Sequence, residues 1–258
     1  MQILNQEIDI DDFYRRLKGE GRKVLFLDYD GTLAPFQEDP DKAYPYSGVR
    51  EVLNSLMEKD DVYLCIISGR WTKDLIPLLN LEKQPEIWGS HGLERLLPDG
   101  SYETAPMEKS VLKGLADGQH LLSSTGLSER CELKPGCVAL HWRGLEDKDI
   151  QEVKSKVEPE WRNIANEHKL ELRKFDGGLE LRVPGRDKGD AVDTVLSKFE
   201  RGNYTASYLG DDLTDEDGFR SLKGRGLSVL VREELRDTEA DIWLKPPEEM
   251  INFLSKWL

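Results

Sequence analysis

The chain has 258 residues, 38% hydrophobic and 33% charged, with 36 Lys plus Arg against 50 Asp plus Glu and a formal net charge of −14. That apolar content supports a packed core and excludes a disordered chain. The acidic balance repels phosphate backbones and anionic lipid, so neither a nucleic acid nor a membrane surface is expected as a partner. At ~150 residues per domain this length allows one large domain or two small ones. The longest apolar runs, such as residues 62–67, fall far short of the ~20 residues that span a bilayer. Met1 to Asp12 carries acids where an export signal would carry a basic and then an apolar stretch. Cys65, Cys131 and Cys137 form no CxxC, so reduced thiols in a cytoplasmic, monomeric protein are the expectation.

Residues 24–27 and 62–67 are short, continuous apolar runs, as strands read when both faces are buried in a parallel sheet. Between them Val49, Val52, Leu53, Leu56 and Met57 recur at helical spacing, with Ser47 placed to cap. Strand, helix and strand at this spacing make a βαβ unit. Helical patterns follow at 108–122 and 147–168. Around 131–143 and 170–183 apolar and polar residues alternate, and Asp176-Gly177-Gly178 signals a hairpin, which points to antiparallel sheet. From Lys188 the first style returns, with a helix carrying Ala191, Val192, Val195, Leu196 and Phe199, strands at 204–209 and 227–231, and a last helix after Pro246-Pro247. The fold class expected is α/β, a Rossmann-like parallel-sheet core (1–103 and 186–258) with an inserted α+β cap domain (104–185).

Four clusters carry chemistry. Asp28-Tyr29-Asp30-Gly31-Thr32 follows a buried strand, where open α/β sheets bind ligands. One acid can attack while the other shuttles protons, although an acidic turn would explain the cluster in isolation. Ser68-Gly69-Arg70 ends the second strand and opens a helix, as a phosphate site or a plain N-cap does. Lys188 begins a helix, the end at which a cation is disfavoured unless an anion sits nearby. Gly210 to Asp217 packs acids after a third strand, and two charges ~4 Å apart repel by roughly 4 kcal/mol at an effective dielectric of ~20. A divalent cation relieves that repulsion, and an all-oxygen set without a His or Cys cluster suits Mg²⁺ rather than zinc.

Together these clusters resemble the haloacid dehalogenase-like phosphatases, which carry DxDGT, a Ser or Thr, a Lys and a GDD-type motif in this order. More narrowly, LDYDGTLAPF (27–36), IISGR (66–70), GSHGLE (89–94), ELKPGCVALHWR (132–143), LELRVPGRDKG (179–189) and YLGDDLTDEDGF (208–219) resemble the trehalose-6-phosphate phosphatases, insert included. The resemblance implies a Mg²⁺-dependent enzyme that hydrolyses a small sugar phosphate. It implies Asp28 as nucleophile, Asp30 as general acid and base, Thr32 supporting the loop, and Ser68 and Lys188 holding the phosphoryl oxygens. It implies Mg²⁺ on Asp28, the Asp30 main-chain carbonyl and Asp211, with Asp212 and Asp215 near the metal. Substrate contacts are implied for Gly69, Arg70, His91, Gly92, Glu132, Lys134, Arg143 and Glu180. Strand parity independently puts Glu132 with Lys134, His141 with Arg143, and Glu180 with Arg182 on shared faces, which suits a polyol as well as it suits solvent. Two other readings stay open: a phosphatase of another glycosyl phosphate, and a catalytically silent sugar-phosphate sensor, which would be expected to lack Asp28 or Lys188.

Overall fold

A computed structural model describes every residue except Asp176. In chain order the elements begin with β1 (Gln2–Ile3), α1 (Ile10–Leu17), β2 (Arg22–Leu27), α2 (Val49–Met57), β3 (Val62–Ile67), α3 (Thr72–Leu79) and β4 (Glu86–Gly89). They continue with β5 (Glu94–Leu96), β6 (Tyr102–Thr104), α4 (Lys109–Ser124), β7 (Cys131–Lys134), β8 (Cys137–His141), α5 (Asp147–His168), β9 (Glu171–Phe175) and β10 (Gly178–Arg182). The last are α6 (Lys188–Leu196), β11 (Tyr204–Gly210), α7 (Glu216–Leu222), β12 (Leu227–Val231), β13 (Ile242–Leu244) and α8 (Glu248–Ser255). The chain divides into two compact units, Met1–Glu103 with Asp187–Leu258, and Thr104–Arg186.

The first unit holds a nine-stranded sheet in the order β1-β13-β12-β11-β2-β3-β4-β5-β6. Strands β13 to β4 in that order run parallel, and β1 and β5 pair antiparallel. Both faces are covered, which is why β2 is a continuous apolar run. Leu25, Leu27, Leu64 and Ile66 pack against α1, α2, α3 and α8 through Leu17, Leu53, Leu75 and Phe253. Val24, Phe26, Cys65 and Ile67 pack on the other side against Val192 and Val195 of α6 and Phe219 of α7. Each fully buried side chain of this size contributes roughly 1.5–3 kcal/mol. The strand order reverses between β2 and β11, with β3 and β4 added on one side and β12 and β13 on the other, so the segments leaving β2, β3 and β11 lie at a switch point of the sheet.

The second unit is a four-stranded antiparallel sheet, β7-β8-β10-β9. Val138, Leu140, Leu179 and Leu181 face α4 and α5 and pack on Val157 and Trp161. A Cβ on Gly118 would come 2.6 Å from Leu181 Cδ2, so the glycine lets α4 approach the sheet closely. Phe175 pairs with Gly178 across the β9–β10 hairpin; Asp176, in the expected turn, lies outside the described residues.

Ser47 does not cap α2. Gly48 takes that place with φ 91° and no side-chain cap bond. Strands β4 and β13 escape sequence analysis because four and three residues show no period. Among the described residues no helix is long and apolar enough to cross a membrane, and all three cysteines are free.

Candidate active site

Asp28 is the first residue beyond β2. Its N–H still donates to Leu209 O of β11 at 2.9 Å, so the sheet fixes its main chain. The chain then folds into a tight turn in which Gly31 N–H donates to Ala34 O at 2.7 Å. Gly31 has φ 82°, and a Cβ there would overlap the Asp211 carboxylate, so geometry and space both demand glycine. Thr32 Oγ1 donates to Asp28 Oδ2 at 3.3 Å. Tyr29, fully buried, donates to Ala43 O at 2.6 Å and anchors the returning loop.

Lys188 enters from the start of α6. Its predecessor Asp187 caps that helix by accepting from Gly189 N–H and Asp190 N–H, which neutralises the helix end without drawing on Lys188. Lys188 Nζ donates to Asp28 Oδ1 and to Asp215 Oδ1, both at 2.6 Å. Burial works against its charge, but Asp215 and Asp28 outweigh burial and raise its proton affinity above that of an ordinary lysine.

The acidic cluster after β11 separates into distinct roles. Asp215 Oδ1 accepts from Lys188 and from Tyr208 Oη at 2.7 Å, and its Oδ2 accepts from Asp211 N–H and Asp212 N–H at 3.1 and 2.9 Å. With both oxygens engaged, Asp215 holds other groups in place. Asp212 Oδ1 accepts from Leu213 N–H at 2.7 Å and starts the next helical turn. Asp211 is different: it is buried, and its Oδ1 has no hydrogen-bond partner among the described residues.

Ligand atoms of Asp28, Asp211 and Asp215 all lie within 4.8 Å of one another. Burial, then Asp215, pushes the Asp28 carboxyl up to about 7. Burial, then Asp28, pushes Asp211 well above the usual carboxylate range. Three buried carboxylates with one ammonium carry an excess of negative charge. An orphaned oxygen in an all-oxygen set is what a hard divalent cation completes, so these residues fit one.

A second group forms around Ser68. Ser68 N–H donates to Trp88 O at 2.8 Å, and its Oγ accepts from Arg70 N–H at 3.1 Å. His91 N–H donates to Ser68 O at 3.1 Å, and a Cβ on Gly69 would sit 2.5 Å from His91 Cε1, so the imidazole lies directly on the Ser68–Gly69 backbone. Ser90, His91 and Gly92 are all left-handed, with φ 49°, 56° and 94°. Such consecutive strain persists only where the surroundings impose it. Here buried Glu94 does so, accepting from Ser90 Oγ at 2.8 Å, Thr72 Oγ1 at 2.9 Å and Tyr102 Oη at 2.7 Å.

Asp30 stands outside the carboxylate trio. Its oxygens accept from Arg70 Nε and Nη2, both at 2.6 Å, and Arg70 also donates to Pro40 O and lies over the Tyr29 ring. In this state Arg70 holds Asp30 by a bidentate fork.

In the second unit, Lys134 Nζ lies 3.2 Å from Glu180 Oε1 and 3.4 Å from Glu132 Oε2, and His141 Nε2 donates to Glu132 Oε2 at 2.8 Å. Burial pushes the Glu132 carboxyl up, but the His141 bond and the Lys134 charge outweigh it and hold the group at about 2. Arg143 lies past the end of β8, with its stem against Gly177. Sequence reasoning did not single out Tyr208, Glu94 or Tyr29. All three lie inside the quoted motifs, yet no local pattern distinguishes a buried hydrogen-bonding side chain from a packed one.

The pattern that defines the family described as trehalose-phosphatase matches residues 26–242. The chain is 30% identical over 263 residues to probable trehalose-phosphate phosphatase E of Arabidopsis thaliana, covering 93% of this chain and 71% of that protein. In fold it is similar to the C-terminal domain of C. albicans trehalose-6-phosphate phosphatase, with TM-score 0.81, 21% identity and 97% of each chain covered. It is also similar in fold to a haloacid dehalogenase-like hydrolase from B. subtilis, with TM-score 0.64, 14% identity, 92% of this chain and 100% of that one. With Asp28, Lys188 and the Asp211 loop joined at one end of such a sheet, this chain belongs to the trehalose-phosphatase family and is a phosphatase.

Proposed function

We propose that the chain hydrolyses trehalose 6-phosphate to trehalose and phosphate through an aspartyl-phosphate on Asp28, with Mg²⁺ as cofactor. The observation that carries this reading is the Lys188 ammonium bridging Asp28 and Asp215 beside the orphaned Asp211 oxygen. Asp28 and Asp211 would hold the Mg²⁺, which when bound offsets the charge of the phosphoryl oxygens.

Asp28 attacks phosphorus: an Asp28 oxygen–phosphorus bond forms and the phosphorus–sugar oxygen bond breaks. Asp30 gives its proton to that sugar oxygen, then takes a proton from water as the water attacks the phosphoryl group and returns the Asp28 carboxylate. Before the first transfer, the Asp30 carboxylate must leave the Arg70 fork and take up a proton from solvent. Lys188 and Ser68 bind phosphoryl oxygens and stabilise the charge spread over them in the transition state. Glu132, Lys134, Arg143 and Glu180 of the second unit are assigned to the sugar hydroxyls, because a face carrying both signs of charge matches groups that both donate and accept.

Phosphate release from trehalose 6-phosphate, sucrose 6-phosphate and glucosyl-3-phosphoglycerate, with and without Mg²⁺, tests this. Turnover of the first alone, lost with a chelator and in Asp28→Asn, is expected. Equal turnover of all three would overturn the substrate assignment, and a fully active Asp28→Asn would overturn the mechanism.

A further inference from the structure

The loop that presents Asp211 is held from the side opposite its carboxylates. Its N–H groups go to Asp215, as described above. Its carbonyls go elsewhere: Asp211 O accepts from Arg236 Nε and from Arg232 Nη1, both at 3.2 Å, and Asp212 O accepts from Arg236 Nη2 at 2.8 Å. The remaining nitrogen of the guanidinium, Arg236 Nη1, donates to Glu216 Oε1 and to Asp237 O. Glu216 is itself mostly buried and fixed, accepting from Thr238 Oγ1 at 2.9 Å and from Glu239 N–H at 2.8 Å. One planar group thus ties the strand-end loop, the start of α7 and the segment after β12 into a single hydrogen-bonded unit.

This arrangement is geometric more than electrostatic. Glu216 offsets the Arg236 charge, and the guanidinium meets main-chain carbonyls rather than the carboxylates of the trio. The peptide units at Asp211 and Asp212 are pinned on both sides, so the direction in which the Asp211 carboxylate leaves the backbone is fixed. Asp211 spends no hydrogen bond on its own Oδ1, so this external brace substitutes for the partner that would otherwise orient it.

We infer that Arg236, locked by Glu216, is a positioning residue for the Asp211 cation ligand and sets the affinity of the site for Mg²⁺. The inference rests on the proposed reading that Asp211 binds the cation. A lysine keeps the charge at this place but cannot span two successive carbonyls and a carboxylate with one rigid fork. Partners that orient metal ligands are typically worth 10–100-fold in metal affinity.

The test is Mg²⁺ titration by calorimetry, with Tb³⁺ luminescence as a second probe, on the wild-type chain, Arg236→Lys, Arg236→Met and Asp211→Asn. Each variant's melting temperature and KM for trehalose 6-phosphate are measured alongside. Arg236→Met is expected to weaken Mg²⁺ binding about tenfold or more, with KM at saturating Mg²⁺ little changed and activity largely recovered there. Arg236→Lys, the variant safer for folding, is expected to weaken Mg²⁺ binding in the same direction. Wild-type Mg²⁺ affinity in Arg236→Lys, or in a folded Arg236→Met whose only change is a lower melting temperature, would overturn the inference and leave Arg236 a brace of the fold. If the wild-type chain binds no Mg²⁺, or Asp211→Asn binds it unchanged, the cation reading itself fails, and the inference with it.

Discussion

Lys188 Nζ lies 2.6 Å from Asp28 Oδ1 although 160 positions separate the two residues in the chain. Both are almost entirely buried, and Asp215 completes the bridge from the other side. The sheet order makes this contact: β11 and β2 are neighbours, and α6 leads into β11, so its first residue arrives beside the end of β2.

Removing one member of such a bridge leaves charge buried without compensation. Lys188→Met is expected to lower stability by about 3 kcal/mol and turnover by roughly 10²-fold or more. Asp28→Asn keeps a polar group of the same shape and relieves carboxylate crowding, so it is expected to fold normally and release no phosphate. Thermal melting and phosphate release separate the two effects.

Tyr208 Oη donates to Asp215 Oδ1 inside the core, where that bond has no water to replace it. Tyr208→Phe is expected to cost about 1–3 kcal/mol and to reduce turnover more than it raises KM, because Asp215 then holds Lys188 less firmly. Unchanged kinetics in a destabilised variant would assign Tyr208 to stability alone.

The raised Asp28 carboxyl has a pH consequence. Without a cation the folded chain retains a proton on Asp28 up to about pH 7, whereas the unfolded chain loses it near the ordinary value of 3.8. Between those values the folded state binds more protons, so this group's contribution to stability falls as pH rises. Metal-free wild type is therefore expected to lose melting temperature relative to Asp28→Asn as pH goes from 4 to 7. Over the same window Mg²⁺ binding is expected to release protons, measurable by calorimetry in buffers of different ionisation enthalpy.

Gly31→Ala combines an unfavourable φ with a methyl group pressed into the Asp211 carboxylate. The expected outcome is loss of Mg²⁺ binding, read by titration, in a chain whose far-ultraviolet circular dichroism is unchanged.

Lys134 lies within ion-pair distance of both Glu132 and Glu180 in the second unit. Lys134→Met is expected to raise KM for trehalose 6-phosphate at least tenfold while leaving hydrolysis of p-nitrophenyl phosphate, which has no sugar, nearly unchanged. Equal loss on both substrates would remove the second unit from sugar recognition.

The order of residues along the chain determined a good deal by itself. Val24–Leu27 and Val62–Ile67 announce buried strands because a strand covered on both faces needs apolar side chains at every position. Val138, Leu140 and Trp142 announce by their alternation a strand with one apolar face, although Cys137 and Ala139 on its other face are buried as well, and carboxylates directly after a strand, with the motifs around them, mark the family. Each of these is local, since a few neighbouring residues meet one environment.

The tertiary structure decided how the acids divide their work. Asp28, Asp30, Asp211, Asp212 and Asp215 look alike along the chain. Yet Asp30 is turned to Arg70, Asp212 caps a helical turn, Asp215 is saturated by four donors, and Asp28 and Asp211 are left facing each other. Arg236 reaches the Asp212 carbonyl 24 positions away, and nothing beside it in the chain hints at that partner. A carboxylate's role depends on how far it is removed from water and which donors arrive from other strands and helices, and those distances exist only once the chain has folded.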